Sequence, residues 1–244
     1  MEECSVSIIV PCRNEKGNIE TTVKNIPSFG TRQELIFVEG HSVDGTYEEC
    51  SRVIRGNSGK DIKLFRQTGE GKNDAVRLGF DKSSGDILMI LDADLTVMPE
   101  DLELFYRALR DGKGDFINGS RLVLPMEKGA MPLLNLFGNK LSALFLSWLL
   151  GQRFTDVLCG VKVMFRSDYQ SIHQSRGYFG YSDPWGDFDL LMGASKLGLK
   201  IAEIPVRYKS RTYGAPQIKR WRHSLRLMRM VAIAIWKIKF KKWQ

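Results

Sequence analysis

Two aspartates one residue apart follow a short apolar run in this sequence. The run covers residues 88–91, and the two carboxylates are Asp92 and Asp94. At the end of a buried strand both can approach one hard cation such as Mg²⁺ or Mn²⁺, whose vacant coordination positions suit a diphosphate. The alternative is that both residues cap the next turn, because aspartate is common after strands. The pattern therefore indicates a candidate metal site, and its neighbours decide between the two interpretations.

Short apolar runs alternate with helical patterns over the first third of the chain. The runs at 6–10, 35–38, 62–65 and 86–91 predict strands, and the segments 18–26, 47–54 and 73–82 predict helices. Such alternation predicts an α/β fold with a parallel sheet, helices on both faces and a ligand site beyond the carboxyl ends of the strands. The polar residues that follow the strands should therefore meet at that edge, namely Asn14, Glu15, Glu39, Asp44, Lys72, Asp92 and Asp94.

The rest of the chain predicts a helix at 99–109, a strand at 115–118, a long helix at 133–150 and a strand at 201–206. The long helix has apolar side chains at helical spacing, which favours a core helix over a membrane contact. We expect it to bury Leu134, Phe137, Leu141, Leu144, Phe145 and Trp148. Polar residues interrupt its apolar stretch, so no transmembrane helix is expected.

Composition narrows the class of protein further. The 244 residues carry a net charge of +8, which indicates an anionic partner such as a phosphate-rich small molecule, a lipid headgroup or nucleic acid. No nucleic-acid-binding motif is present, so nucleic acid is not expected. The four cysteines are far apart without a CxxC pair, which favours a reducing cytosol. Neither GxGxxG nor GxxxxGK[ST] occurs, which weighs against a dinucleotide-dependent dehydrogenase and a P-loop NTPase.

Six motifs in order support a more specific interpretation. They are PCRNE at 11–15, VEGHSVDGT at 38–46, GKNDA at 71–75, LDAD at 91–94, NGSR at 118–121 and TDVLCG at 155–160. Together they resemble the family 2 glycosyltransferases of the GT-A fold, and most closely the polyprenyl-phosphate (dolichyl-phosphate) mannose or glucose synthases. The resemblance runs from Ser5 to about Gly214. It implies a Rossmann-like, mostly parallel sheet and an inverting, metal-dependent transfer from a nucleotide sugar.

The resemblance also implies roles for individual residues. Asp92 and Asp94 would hold the metal and diphosphate, and Arg121 and Arg211 would receive phosphate charge. Lys219 would stand in for a Ser-Lys pair that the sequence lacks after Gly214. Gly40 and His41 depart from the Asp-Gly that is usual in the family, which leaves the identity of the nucleotide base open. The residues expected to bind the donor are Pro11, Asn14, Glu15, Glu39, Asp44, Lys72 and Asp92.

The acceptor decides whether a general base is needed. A hydroxyl acceptor needs a base within hydrogen-bond reach, whereas an acceptor phosphate is already anionic and needs mainly placement by Arg and Lys. The candidate bases are Asp156, Asp183, Asp187 and Asp189, of which Asp189 aligns best with an acidic position of the family. The alternative is that residues 182–189 form a solvated turn with a helix cap at Asp187 or Asp189.

The last segment, 216–244, interleaves Lys and Arg with Leu, Ile and Trp. We expect a glycosyltransferase domain at 1–215 and a basic amphipathic helical tail at 216–244, which suits an interfacial helix on anionic lipid. A domain-capping helix with a solvated basic face is the alternative. The expected location is cytoplasmic, at the inner face of the membrane.

Three other functions are compatible with the sequence. The acceptor could be a sugar hydroxyl, as in synthesis of capsule, O-antigen or exopolysaccharide. A sugar-phosphate nucleotidyltransferase would share the parallel sheet and paired aspartates, but the glycine-rich opening loop of that class is missing. A basic adaptor without catalysis would leave the acidic clusters without a purpose. The sequence leaves the oligomeric state and the identity of the sugar open.

Overall fold

The computed structural model describes residues 3–174, 183, 185–215 and 229–236. Its centre is a seven-stranded sheet in the order β3-β2-β1-β4-β6-β5-β7. The strands are β1 Val6–Cys12, β2 Gln33–Glu39, β3 Asp61–Arg66, β4 Ile87–Ile90, β5 Phe116–Ser120, β6 Lys162–Phe165 and β7 Ile201–Pro205. The helices are α1 Ile19–Asn25, α2 Thr46–Arg55, α3 Lys72–Lys82, α4 Leu102–Arg110, α5 Leu133–Leu150, α6 Arg166–Gln174 and α7 Asp187–Lys196.

Strands β3, β2, β1 and β4 pair in parallel and form the half of the sheet that the alternating pattern predicts. Their side chains alternate between two apolar clusters, one on each face of the sheet. Ile9 and Ile36 lie in one cluster, and Ile8 and Phe37 lie in the other. The residues of β1 are apolar almost throughout because both faces are buried. The prediction of a mostly parallel α/β sheet flanked by helices is confirmed.

Strand β6 is the strand of the sheet that the sequence pattern did not indicate. It pairs antiparallel with both β4 and β5, so the sheet is not parallel throughout. The strand is only four residues long, and it begins with Lys162, a charged residue that is fully buried. A lysine inside an apolar run hides the pattern of a buried strand. Its register sets Lys162 beside Ile90 at the end of β4, next to the predicted metal site.

Helix α5 has the predicted bounds, but the prediction of its buried face is wrong. Five of the six residues expected to be buried, namely Leu134, Phe137, Leu141, Leu144 and Trp148, are more than half exposed, whereas Phe145 is partly buried and packs against the core. The face that packs on the core consists instead of Asn139, Ser142, Ala143, Leu146 and Leu149. Apolar residues surround the helix on nearly every side, so periodicity could not identify the inward face. Small side chains lie inward because they allow the helix to approach closely.

By length and composition, α5 would suffice to cross a membrane, although the polar residues within it predict no transmembrane helix. Core helices of soluble proteins can have the same length and apolar composition. It is the only such helix among the residues that the structure describes.

Most of the predicted tail, 216–228 and 237–244, lies outside the described residues. The segment 229–236 is helical up to residue 235, and Met230 and Ala234 are buried in the same apolar cluster as Leu146 and Leu149. The division at residue 215 and the interfacial role of the tail remain predictions.

A buried glutamate ties the strands at the amino edge of the sheet. Glu34 on β2 is buried, forms an ion pair with Lys63 and accepts hydrogen bonds from the hydroxyls of Ser7 at 2.5 Å and Ser84 at 3.0 Å. Burial by itself would raise the pKa of Glu34, but Lys63 and the hydroxyl donors outweigh it and lower the pKa to about 2. The carboxylate therefore stabilises the fold above its ordinary pKa, and this contribution is lost as the pH falls from about 4.5 towards 2.

We expect Glu34→Gln to lower the free energy of unfolding by about 2 kcal/mol at pH 7, because the buried ion pair is lost. The difference from the wild type should narrow between pH 7 and pH 4, as urea denaturation at both pH values would show. Glu103→Gln is the matched control, because Glu103 forms an exposed pair with Arg107 and should change stability little. A Glu34→Gln effect that is constant with pH would contradict the assignment.

Candidate active site

The loops after β1 and β2 interlock at the carboxyl edge of the sheet. The Asn14 N–H donates to Ser42 Oγ at 3.0 Å, and the Glu15 N–H donates to Thr46 Oγ1 at 2.9 Å. Thr46 is held by Asp44, whose Oδ1 accepts from the Thr46 N–H at 3.0 Å. These hydrogen bonds fix the backbone of both loops at the edge where the sequence predicts binding of the nucleotide sugar.

The two aspartates after β4 face cations from distant parts of the chain. Lys72, at the start of α3, forms an ion pair with Asp92. Arg211, after β7, donates to Asp94 Oδ2 at 2.8 Å and also forms an ion pair with the buried Glu15. The structure thus brings five of the residues predicted for the site together at one edge of the sheet.

The pKa values of these groups reflect one shared electrostatic field. Burial by itself would lower the pKa of Lys72, but Asp92 and then Asp187 outweigh it and raise the pKa well above its ordinary value. Burial would likewise raise the pKa of Asp92, but Lys72, with smaller effects from Lys162 and Arg121, holds it below its ordinary value. Both groups are therefore charged at neutral pH, and Lys162 and Arg121 belong to the same cluster.

Gly160 leaves the space in which Asp92 and Lys72 meet. A Cβ at this position would lie 1.8 Å from Asp92 Oδ2 and 2.6 Å from Lys72 Nζ. Both distances are far inside van der Waals contact. Any side chain at position 160 would therefore displace the carboxylate or the ammonium group.

Arg121 and Asp156 form a two-pronged ion pair. Arg121 Nε lies 2.6 Å from Asp156 Oδ2, and Nη2 lies 2.9 Å from Oδ1. Asp156 is fully buried and also accepts from the backbone N–H of Arg121 and of Leu158. Burial would raise the pKa of Asp156, but Arg121 outweighs it and holds the pKa below its ordinary value. This arrangement orients Arg121 and leaves Asp156 poorly suited to take a proton.

The other acidic candidates lie at the start of α7, and each is held by a partner. Asp187 Oδ1 lies 2.6 Å from Lys162 Nζ, which also donates to the backbone carbonyl of Cys159. Asp189 Oδ2 lies 3.2 Å from Arg77 Nη2.

Asp183 acts as a cap for α7. Its carboxylate accepts from the backbone N–H groups of Trp185, Gly186 and Asp189 at 2.9–3.1 Å. Burial raises the pKa of Asp183 to about 6. The capping expected at Asp187 or Asp189 is therefore supplied by Asp183, and the loop is buried rather than solvated at this residue.

Three predicted donor residues lie further along the same edge. Pro11 is in β1, opposite Val38 of β2. Glu39 ends β2, is buried, and accepts from Arg66 Nε at 3.1 Å. Asp44 Oδ2 accepts from the Tyr213 hydroxyl at 3.1 Å. Lys219 lies outside the described residues, so its role stays a prediction.

Three residues contribute to the site without having been predicted from the sequence. Tyr213 packs on the loop after β1, where a Cβ on Gly17 would lie 2.4 Å from the tyrosine ring. Lys162 and Arg77 hold the acidic residues of α7. For Lys162 the sequence shows only a lysine within an apolar run, and such a lysine needs a charged partner if it is buried. Nothing local to Tyr213 or Arg77 in the sequence indicates their partners.

The two aspartates after β4 fit a divalent metal ion whose remaining coordination positions a substrate would fill. Within the described part of the chain, no group of three His, Cys, Asp or Glu side chains is arranged to hold a metal ion. Asp92 and Asp94 supply two carboxylates at one strand end. Mg²⁺ is commonly bound by one or two carboxylates together with substrate phosphates and water, so two ligands suffice for such a site.

Comparison with solved structures defines the class of fold. The chain is similar to glucosyl-3-phosphoglycerate synthase from Mycobacterium tuberculosis, crystallised with Mn²⁺, UDP and glucosyl-3-phosphoglycerate. The TM-score is 0.68 at 18% identity, and the match covers 95% of this chain and 79% of that one. The fold is therefore that of the GT-A glycosyltransferases.

The sequence family agrees with the fold. The model of glycosyl transferase family 2 matches residues 7–173, and the chain belongs to this family. It is an enzyme family, which sets aside the adaptor and nucleotidyltransferase alternatives.

Two relatives refine the comparison. Dolichol-phosphate mannosyltransferase of Pyrococcus furiosus is 35% identical over 121 residues, which are 48% of this chain and 33% of that protein. UDP-N-acetylglucosamine–dolichyl-phosphate N-acetylglucosaminyltransferase of Methanococcus voltae is 26% identical over 222 residues, 85% of this chain and 86% of that protein. In four relatives, the P. furiosus protein among them, the aligned segment covers from 33% to 65% of that protein's own length. The predicted likeness to polyprenyl-phosphate sugar synthases is confirmed.

We expect Gly160→Ala to lower kcat/KM for sugar transfer by at least about 100-fold, because a Cβ displaces Asp92 or Lys72. Gly59→Ala is the control, since a Cβ there meets no atom within 4 Å. Circular dichroism and thermal melting should show a folded protein for both variants. Full activity of folded Gly160→Ala would contradict the close contact.

Proposed function

We propose that this chain transfers a sugar, with inversion at C1, from a nucleoside-diphosphate sugar to a polyprenyl phosphate at a membrane surface, with Mg²⁺ or Mn²⁺ as cofactor. The observation that carries the proposal is the joint arrangement of Asp92, Asp94, Lys72 and Arg211 at the carboxyl edge of the sheet. A diphosphate needs a divalent ion and nearby cations, and this edge offers residues for both.

Asp92 and Asp94 are the residues proposed to hold the metal. A divalent ion bound there would neutralise the charge that grows on the diphosphate as it leaves the sugar. Lys72 and Arg211 add fixed positive charge beside the same position. The relative of known structure from M. tuberculosis contains Mn²⁺ and UDP together, which supports a metal and a nucleotide in the same fold.

An anionic acceptor agrees with the state of the acidic residues. Asp156, Asp187 and Asp189 all form ion pairs with basic side chains. A carboxylate that already accepts hydrogen bonds from Arg or Lys is a weaker general base toward a substrate hydroxyl. An acceptor phosphate needs no base, and Arg121 is oriented by Asp156 to receive it. The relatives named for dolichyl phosphate support the same acceptor class.

Inversion follows from a single displacement. Attack by an acceptor oxygen on the face of C1 opposite the leaving diphosphate forms one bond as the other breaks. A retaining route through a covalent intermediate would require a free carboxylate nucleophile. The ion pairs of Asp156, Asp187 and Asp189, and the capping hydrogen bonds accepted by Asp183, weigh against that route.

A polyprenyl acceptor would bring the chain to a lipid surface, as a peripheral protein at the inner face of the membrane. The net charge of +8 suits anionic headgroups. None of the four cysteines, Cys4, Cys12, Cys50 and Cys159, is joined in a disulfide bond, which agrees with a reducing compartment.

We expect Asp94→Ala to lower kcat/KM by at least about 100-fold and to remove the metal dependence of donor binding. The measurement is the melting temperature with GDP-mannose, UDP-glucose or UDP-N-acetylglucosamine, each with and without Mn²⁺. Asp81→Ala, at an exposed position of α3, is the control. Undiminished transfer by the wild type in EDTA would refute the metal assignment.

We expect a short-chain polyprenyl phosphate to accept the sugar and the corresponding polyprenyl alcohol not to accept it. Arg121→Lys should lower kcat/KM for the phosphate acceptor by about tenfold, because lysine cannot make the two-pronged contact with Asp156. The affinity for donor with Mn²⁺ should be unchanged. Transfer to the alcohol or to a free sugar at a comparable rate would favour the hydroxyl-acceptor alternative.

A further inference from the structure

Helix α5 turns a large apolar surface away from the protein. We call this surface the outer face, and it consists of Leu133, Leu134, Phe137, Leu141, Leu144 and Trp148. Their exposed fractions are 83%, 70%, 67%, 56%, 68% and 60% in that order. Large apolar side chains are usually exposed singly on soluble proteins, and a contiguous patch marks an interaction site.

The outer face is continuous along the whole helix. Residues 134, 137, 141, 144 and 148 follow one another at alternating spacings of three and four, which places them in one stripe. On the opposite side, Ala143, Leu146 and Leu149 pack in the protein core. A helix packed along one side on its own domain has only its other side open to lipid, which favours contact with a membrane surface over a crossing of the bilayer. It can lie flat on a surface with its outer face immersed.

Basic residues lie on α5 and near its two ends. Lys140 is the one charged residue of α5, and it is exposed. Lys128 precedes the helix and Arg153 follows it, and both are exposed. Arg207 and Lys209 lie close to the segment that precedes α5, because the Glu127 N–H donates to the carbonyl of Tyr208 at 2.9 Å.

The acidic residue nearest in sequence is Glu127, and it already accepts from the Ser210 N–H at 2.6 Å. An apolar stripe with a basic border has the charge and polarity of an interfacial helix on anionic lipid.

We propose that the outer face of α5 is the membrane-docking surface of this protein and lies in the headgroup region of an anionic bilayer, parallel to its plane. The partner is a lipid surface rather than a second protein chain. The contact itself is independent of the catalytic chemistry. Its use to deliver a lipid acceptor rests on the proposed function.

A cavity lies beside this surface, and two of its lining residues are neighbours in sequence of Arg121 and Asp156. It has a volume of about 470 Å³ and is lined by Leu122, Lys140, Ala143, Leu144, Arg153 and Thr155, among others. Leu122 follows Arg121 directly, and Thr155 precedes Asp156. A lipid phosphate that enters from the bilayer along α5 would pass Lys140 and Arg153 before it reaches the Arg121–Asp156 pair.

The experiment is co-sedimentation of the full chain with sucrose-loaded vesicles of equal parts phosphatidylcholine and phosphatidylglycerol, and with vesicles of phosphatidylcholine alone. The test variant is the double substitution Phe137→Glu with Leu141→Glu. Leu104→Glu on α4 is the matched control, because Leu104 is 54% exposed and Leu141 is 56% exposed. Melting temperatures should be close to that of the wild type for both, since all three positions are exposed.

We expect the wild type to bind the anionic vesicles more tightly than the neutral ones. The double variant should lose at least about tenfold in partition coefficient, and the control should lose less than about twofold. Equal binding of the double variant and the wild type would overturn the proposal. So would loss of binding in Lys239→Glu with Lys241→Glu while the α5 variant still binds, because the tail would then carry the contact.

Two further measurements distinguish lipid docking from self-association and from catalysis. If α5 is covered by a second copy, analytical ultracentrifugation without lipid will show a wild-type dimer that the double variant dissociates, and the proposal fails. Donor binding with Mn²⁺, followed by thermal shift, should be unchanged in the double variant, and transfer to a soluble short-chain phosphate should persist. Vesicle binding without any donor binding in the wild type would leave the docking surface intact and refute the proposed function.

Discussion

Charges at the carboxyl edge of the sheet lie in contact with charges of opposite sign, and these contacts join parts of the chain that are far apart in sequence. Lys72 with Asp92 connects α3 to the end of β4, and Arg211 connects the segment after β7 to Glu15 and Asp94. Most side chains of these pairs are partly exposed, 22% for Lys72 and 32% for Asp92, so breaking one pair costs less than the ~3–5 kcal/mol of a fully buried pair, but it still leaves a charge without its partner. The loops of this edge are therefore held in place by the requirement that no charge remains alone.

The same balance explains how the edge can receive a nucleoside diphosphate. The carboxylates and the cations neutralise each other while no ligand is bound, so the edge avoids a cost of mutual repulsion. On the proposed function, Lys72 and Arg211 exchange carboxylate oxygens for phosphate oxygens, and Asp92 and Asp94 become available to a divalent ion. Each charge finds a new partner of the same sign as the old one, which makes the rearrangement inexpensive. The Lys162–Asp187 ion pair is buried, so we expect it to keep its partners and to support the edge from within the protein.

The sequence predicted those parts of the fold whose determinants are local. Strands β1 to β4 are short apolar runs followed by polar loops, so their positions and the edge that they share could be derived directly. Strand β6 could not, because its burial of Lys162 depends on Asp187, a residue 25 positions further along. The inward face of α5 was equally hidden, since the helix is apolar nearly all round and the packing of Ala143 and Ser142 decides its orientation. Within the site, residue types and order indicated Asp92, Asp94 and Arg211, but their ion pairs come from tertiary contacts that no spacing encodes.

The orientation of α5 indicates which side of the molecule would face a lipid surface. In water, an exposed stripe of leucine and phenylalanine costs free energy and promotes association, so a helix with small and polar residues inward and large apolar residues outward is unfavourable for a protein that remains in solution. A bilayer reverses that balance because the stripe leaves water while Lys140 and Arg153 stay among the headgroups. The cavity beside Ala143 and Leu144 is also lined by Leu122 and Thr155, which flank Arg121 and Asp156 in sequence, so the surface that gains most from lipid lies near the arginine proposed to receive the acceptor phosphate. One docking geometry would then serve both for attachment and for presenting a lipid phosphate to a sugar held at the sheet edge.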